Sequence, residues 1–131
     1  MPQIASVTIN DGATTPVAHT YVPKGVQAGV GTVEERAAVT AGNAVLTFSH
    51  NRSANRLRAR IRGRWPVVQT ETINGVSRPV VVRESACDLS FSFDAGSTLQ
   101  ERKDCLALIR NFLAESQPMA YKTIVECEEA W

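Results

Sequence analysis

Five arginines alternate with apolar or small residues in the run Arg56-Leu57-Arg58-Ala59-Arg60-Ile61-Arg62-Gly63-Arg64-Trp65. Guanidinium groups carry a permanent charge and a planar fork of donors that meets phosphate or carboxylate oxygens two at a time. Side chains of a β-strand point alternately to opposite faces, so this period of two predicts a strand. One face would carry Leu57, Ala59, Ile61 and Trp65, and the other only guanidinium groups. Alternate residues on one face stand about 6.6 Å apart, where two unit charges repel by roughly 0.6 kcal/mol in bulk water. The whole row costs on the order of 2 kcal/mol before salt screening, and an anion laid along it relieves that cost. A polyphosphate chain such as a nucleic-acid backbone is the expected ligand. The competing reading is a solvated edge strand whose charge guards against aggregation, but such edges rarely set like charges in register without acids opposite.

Other residue types with chemical potential give weaker signals. His19 and His50 could form the acid–base pair of a ribonuclease. His50, however, shares its strand face with Leu46 and Phe48, away from the arginines, and reads as a structural histidine on a covered face. Glu84 and Asp88 fall on a polar face and are expected to offset arginine charge rather than act as paired catalytic carboxylates. No P-loop, GxGxxG, GxSxG or HExxH pattern occurs, so no catalytic residue is assigned and no enzyme is expected. Cys87, Cys105 and Cys127 are an odd number without CxxC spacing. Reduced, mostly buried thiols are expected, with no disulfide framework, no metal site and no cofactor.

A chain of 131 residues with 44% apolar and 21% charged residues has the composition of one globular domain. Its net charge of +1 conceals a segregation. From Arg36 through Glu84 there are nine arginines and two acids, Glu71 and Glu84. From Leu99 onward there are six acids against Arg102, Lys103, Arg110 and Lys122. A basic middle and a mildly acidic end suit a molecule with nucleic acid on one side and water on the other. No stretch has the length of a membrane span or the layout of a signal peptide, so a protein made and used inside a cell, with no membrane partner, is expected.

The elements that would position these residues run strands first, helices last. Gln3 to Asn10 alternates as a strand into the turn signal Asp11-Gly12, and Pro16 to Val22 would return, closed by Pro23 and Gly25. Gly25 to Gly31 reads as a glycine-rich loop, and Thr32 to Ala38 as a weak strand or a short helix. Val45 to Asn51 is a strand joined by the polar connection Arg52 to Asn55 to the arginine strand, which extends to about Gln69. Glu71 to Pro79 reads as a longer polar loop, and Val80 to Phe93 as a long strand. Half-apolar strands predict an antiparallel sheet covered on one face. Ser97-Thr98-Leu99-Gln100 has the form of a capping box, with Thr98 and Glu101 as the alternative register. The helix after it carries Leu99, Cys105, Leu106, Leu108, Ile109, Phe112 and Leu113, a stripe broader than packing on one neighbour requires. A second helix restarts at Ser116 to Pro118, with Ala120, Ile124, Cys127 and Trp131 as its stripe. The layout is α+β, and a partner subunit is the simplest second surface for the first helix.

The ordered set VLTFSH, the NR opening of the next strand, the charged alternation ending at Pro66, TxxxNGVxxPV, LSFSF and LxLIRNFL resembles the coat proteins of single-stranded RNA bacteriophages, the leviviruses. The likeness covers nearly the whole chain. It implies one coat-protein domain over 1–131, with an N-terminal β-hairpin (1–25), a five-stranded antiparallel sheet (32–93) and two C-terminal helices (97–131) that interlock in a dimer. Two subunits would join their sheets edge to edge, and dimers would build a quasi-icosahedral shell whose sheet faces the RNA within. The implied partners are a second copy, single-stranded genomic RNA and a phage maturation protein. The implied location is the virion, assembled in the bacterial host cytoplasm. Binding of an RNA stem-loop to repress translation is a further implication. The alternative is a cellular single-stranded nucleic-acid binding module, which would interleave aromatics with the basic residues on one sheet face.

Carried over by position, Thr47 and Ser49 match a Thr and a Ser that contact an unpaired adenine in the family. Arg60 and Arg62 fall where the family places a Thr and a Lys, and Asp88 where some members have an Asn. With Arg56, Arg58 and Arg64 these residues make up the expected RNA-binding set. Ala86 stands where members have a Tyr that stacks on a base, a departure that removes about 1–3 kcal/mol by analogy with single-strand binders. Glu71, Asn74, Gly75 and Pro79 mark the loop that gathers around the shell's symmetry axes. Leu106, Ile109, Phe112 and Leu113 are assigned to the dimer interface.

Overall fold

A computed structural model describes residues 3–37 and 40–130. The chain divides into two compact units, Met1–Ser92 and Phe93–Trp131. The first unit is built from six strands: β1 (Val7–Asn10), β2 (Ala18–Gln27), β3 (Val30–Glu35), β4 (Ala44–Arg52), β5 (Arg56–Ile73) and β6 (Val76–Asp94), the last of which runs two residues past the unit. They lie in sequence order, each beside the next. β2 changes partner along its length. Ala18 to Tyr21 pair with β1, and Val22 to Gln27 pair with β3. The outcome is an N-terminal hairpin leading into a five-stranded antiparallel sheet, the expected class, with the hairpin strand shared between the two.

Where the elements differ from expectation, turn chemistry explains the difference. Asp11-Gly12 does not make a tight turn: the connection runs to Val17, and Asp11 closes it by accepting from the amides of Ala13 (3.1 Å) and Val17 (3.0 Å) through Oδ1. Pro23 and Gly25 do not end β2, because the register shifts between them and leaves Lys24 as an extra residue in a bulge. Gly25 to Gly31 is therefore not a loop. Gln27 pairs with Val30 across Ala28 and Gly29, both at positive φ (50° and 78°). The same pattern joins β5 to β6 through Asn74 (φ 52°) and Gly75 (φ 78°). Asn-Gly suits this left-handed turn and Ala-Gly does not, because alanine has no side-chain polar group to offset the steric penalty. Replacing Ala28 with Asn is expected to stabilise the protein by about 1 kcal/mol, read as a raised denaturant midpoint with an unchanged slope.

The weak segment Thr32–Ala38 resolves as a strand through Glu35, and Ala38 lies outside the described residues. β5 extends beyond Gln69 to Ile73, so Glu71 and Pro79 are strand residues and only Asn74 and Gly75 form the turn. The expected loop Glu71 to Pro79 is thus a hairpin tip, braced by Thr72 and Ser77 whose hydroxyls meet at 3.1 Å. Pro66 follows the last β4 pair, Val45 opposite Arg64, where its missing N–H costs no ladder bond to β4.

One sheet face holds the small apolar core. Tyr21, Val33 and Ala44 are buried, with Ile4, Leu46 and Phe48 packed against them. Trp65 donates its indole N–H to Tyr21 Oη at 3.1 Å, and its ring lies over Gly63, as the Phe48 ring lies over Gly31. A Cβ at either glycine would collide with the ring above it. The hairpin is fastened to β3 through His19, whose Nδ1 and Nε2 lie 2.7 Å from Glu35 Oε2 and 3.0 Å from Asp11 Oδ2. The hydrogen bonds to Asp11 and then Glu35 raise the His19 pKa above its ordinary value. The amide of Val17, with help from His19, lowers Asp11 to about 2. A raised histidine pKa stabilises the fold below the unfolded value, about 6.5, and that stability is lost as pH rises through the folded value. Asp11 contributes above its unfolded pKa of about 3.9, and that contribution is lost as pH falls through its folded one. The melting temperature is expected to fall as pH rises above about 6.5, and His19→Gln to flatten that limb.

The second unit contains α1 (Leu99–Phe112) and α2 (Pro118–Val125). Of the two capping registers, Thr98 with Glu101 is the one formed. Thr98 Oγ1 accepts from the Glu101 amide (3.2 Å), and Glu101 Oε2 accepts from the Thr98 amide (3.0 Å). Pro118 occupies the first turn of α2, as expected. The second stripe is shorter than expected: the helix is capped at Glu126, Cys127 turns to φ 56°, and Trp131 lies outside the described residues. Neither helix has a buried residue. Among the described residues no helix is long and apolar enough to cross a membrane.

Candidate nucleic-acid interface

Register assembles the polar face residue by residue. On β4 and β5, Asn51 lies opposite Arg58, Ser49 opposite Arg60, Thr47 opposite Arg62 and Val45 opposite Arg64. β3 continues the rows, with Val30 beside Ser49 and Thr32 beside Thr47. Leu46, Phe48 and His50 pair with Gly63, Ile61 and Ala59 on the other face. The arginine ladder is therefore real, all five members are exposed, and Thr47 and Ser49 stand half-buried beside it. Tyr21, Phe48 and Trp65 belong to the opposite, apolar face, so no aromatic is interleaved with the arginines of β5.

The ladder is not bare of acids: Asp88 and Glu84, expected to offset arginine charge, stand against three of its members. Arg60 donates from Nε and Nη2 to both oxygens of Asp88 (3.0 and 2.6 Å). Arg62 donates from Nε to Asp88 Oδ2 (3.3 Å). Arg64 donates to both oxygens of Glu84 (2.9 and 2.6 Å). Arg60, followed by Arg62, lowers the Asp88 pKa, and Arg64 lowers that of Glu84. The same hydrogen bonds raise the Arg60 and Arg64 pKa values, so these groups are charged across the whole accessible pH range. The carboxylates thus act as counter-charges, as read from sequence, but more completely than expected. Among the described residues Arg56 and Arg58 have no ion pair. Further along the face, Lys24 and Arg36 flank Glu34 at 3.7 and 4.0 Å.

Ser49, Asn51, Arg58, Arg60, Asp88 and Ser90 surround a polar recess of about 660 Å³. Asn51 and Ser90 were not singled out from sequence, although the same alternation that marks the arginines places Asn51 on their face. The recess offers one guanidinium unpaired among the described residues, hydroxyl and amide groups of both polarities, and a carboxylate. Those are the groups that bind a phosphate and a base edge together.

The assigned interface residues on α1 are Leu106 (57% exposed), Ile109 (38%), Phe112 (45%) and Leu113 (38%). Phe112 and Leu113 also line an apolar groove with Pro118, Met119 and Ile124. His50 sits on the expected face but is exposed, because no element of its own unit covers it. The thiols, expected mostly buried, are exposed at Cys87 and Cys127 and half-buried at Cys105, and none is in a disulfide.

A polar, cationic sheet face backed by an apolar one, followed by two helices without a buried residue, defines an α+β chain with exposed cationic and apolar surfaces. The chain matches the levivirus coat protein family over residues 2–131. It is 34% identical to the capsid protein of Pseudomonas phage PRR1 over 127 residues, covering 96% of this chain and 97% of that one. Among solved structures it is similar to the virus-like particle of bacteriophage ESE058, with a TM-score of 0.90, 26% identity and coverage of 99% and 100%. It is also similar to that of bacteriophage NT-214, with a TM-score of 0.88, 28% identity and the same coverage. The chain belongs to the levivirus coat protein family. It is a phage capsid protein and hence a constituent of the virion.

Proposed function

We propose that this coat protein dimerises through its helices, closes into a quasi-icosahedral shell and packages single-stranded RNA against the arginine-bearing sheet face. The observation that carries this reading is the coincidence of two surfaces open to solvent. A row of exposed guanidinium groups faces one way, and apolar helix residues Leu106, Ile109, Phe112 and Leu113 remain open to solvent. Covering those four side chains contributes on the order of 4 kcal/mol, since each has about half of a 1.5–3 kcal/mol burial still to gain. The relatives solved as virus-like particles support shell closure by chains of this fold. The hairpin tip around Asn74 and Gly75, with Glu71 and Pro79 at its base, is the segment that meets its copies at the symmetry axes. A maturation protein completes the virion, and assembly takes place in the bacterial host cytoplasm.

Recognition of an RNA stem-loop, with translational repression, is a second role of the same face. Thr47 and Ser49 stand beside Arg62 and Arg60, where a base can be held while the guanidinium groups grip its phosphates. Ala86 leaves this readout without a stacking ring. The function is tested by expressing the chain alone in bacteria and imaging the purified product. Closed hollow particles with co-purifying RNA support the reading; soluble monomers free of RNA reject it.

A further inference from the structure

Arg60 and Arg62 share the carboxylate of Asp88, and Arg64 holds that of Glu84, while Arg56 and Arg58 carry none among the described residues. A carboxylate taken in the two-pronged geometry of Arg60 and Arg64 offers a guanidinium the same pair of oxygens as a phosphodiester. Asp88 and Glu84 keep about a half and a third of their side-chain surface in contact with water, so these are exchangeable contacts rather than fixed ones. The recess around Ser49 and Asn51 combines both situations. Arg58 on its wall has no ion pair among the described residues, whereas Arg60 is occupied by an intramolecular anion that is itself part of the wall. At about 660 Å³ the recess lies within the range that accepts a ligand the size of one nucleotide.

We infer that Asp88 and Glu84 are built-in phosphate surrogates that latch Arg60, Arg62 and Arg64 and must be displaced by RNA phosphates before the full ladder engages. Resting on the RNA-binding reading, this divides the ladder in two. Arg56 and Arg58 capture any backbone that arrives, whereas the latched arginines open only to RNA that brings phosphates close enough to compete. The carboxylates thus hold down affinity for stray single strands and preserve the ladder's geometry when RNA is absent.

The test is the salt dependence of binding between nuclease-stripped, full-length protein and a labelled oligouridylate of about 20 nucleotides, where each phosphate engaged contributes a slope of about 0.7 in log K against log salt. Freeing Arg64 by Glu84→Gln should steepen the slope by about 0.7, Asp88→Asn by about 1.4, and both together by about 2. Asp88→Glu keeps a carboxylate in place and should retain the wild-type slope, which separates latching from damage to the fold. Equal slopes in wild type and double variant, or weaker binding by Asp88→Asn, would overturn the latch, the latter by making Asp88 a direct RNA contact. Absence of salt-dependent binding in wild type and variants alike would instead sink the RNA-binding reading, and the latch with it.

Discussion

Phe112→Asp is expected to abolish particle formation and leave a poorly associating, RNA-poor subunit. Phe112 ends α1 and is 45% exposed although it is a large aromatic, and it shares an apolar groove with Leu113, Pro118, Met119 and Ile124. Nothing within its own unit buries it, so substitution should cost little in the folding of the isolated chain. Its loss is felt when a partner covers the groove. Truncating a buried phenylalanine costs about 3–5 kcal/mol, and a carboxylate left in an apolar contact adds its desolvation. A loss of about 4 kcal/mol raises a dissociation constant roughly a thousandfold. Analytical ultracentrifugation of wild type and variant checks this. Wild-type protein should sediment as particles or dimers, and the variant as monomer at micromolar concentration. Ile109→Asp should behave in the same way.

The second large effect concerns RNA. Arg56→Ser with Arg58→Ser removes the two ladder members that hold no carboxylate among the described residues. If each neutralises one phosphate of single-stranded RNA, the slope of log K against log salt should become shallower by about 1.4. Packaged RNA, read from the ratio of absorbance at 260 and 280 nm in purified particles, should fall while the particles still close. Arg60→Ser alone should change RNA content less, because Asp88 already occupies that guanidinium and keeps its hold on Arg62 when Arg60 is lost. The contrast between these variants distinguishes the free end of the ladder from the latched one. A purely structural role for all five arginines would make them behave alike.

Much of this architecture was legible in the sequence because its strongest signals are local. The arginine alternation, the phase of Leu46 and Phe48, the Asn74-Gly75 turn and the Thr98–Glu101 box each depend on residues within a few positions of one another. What was not legible depends on pairing across strands or on a turn of the wrong composition. Ala28-Gly29 makes the same left-handed turn as Asn74-Gly75, yet alanine gives no sign of it, and the β2–β3 hairpin reads as a loop in the sequence. Pro23 and Gly25 look like strand breakers until the bulge at Lys24 shows why the strand tolerates them. His19 reaches Glu35 only because β2 and β3 pair, so the clasp is invisible in one dimension. The counter-ions of the ladder arrive from β6, more than twenty positions along the chain for Arg60 and Arg62. Sequence marked Asp88 and Glu84 as charge offsets but not the two-oxygen geometry that makes them competitors of phosphate.

The orientation of the ladder within an assembled particle is the feature on which the functional account turns, and a cryo-electron microscopy map of particles formed by this chain measures it. Shells are expected in which Arg56, Arg58, Arg60, Arg62 and Arg64 of every subunit point into the lumen and RNA density lies against β4 and β5, strongest beside Arg56 and Arg58. A shell with these side chains on its outer surface, or with an empty gap between the sheet and the encapsidated RNA, would contradict it.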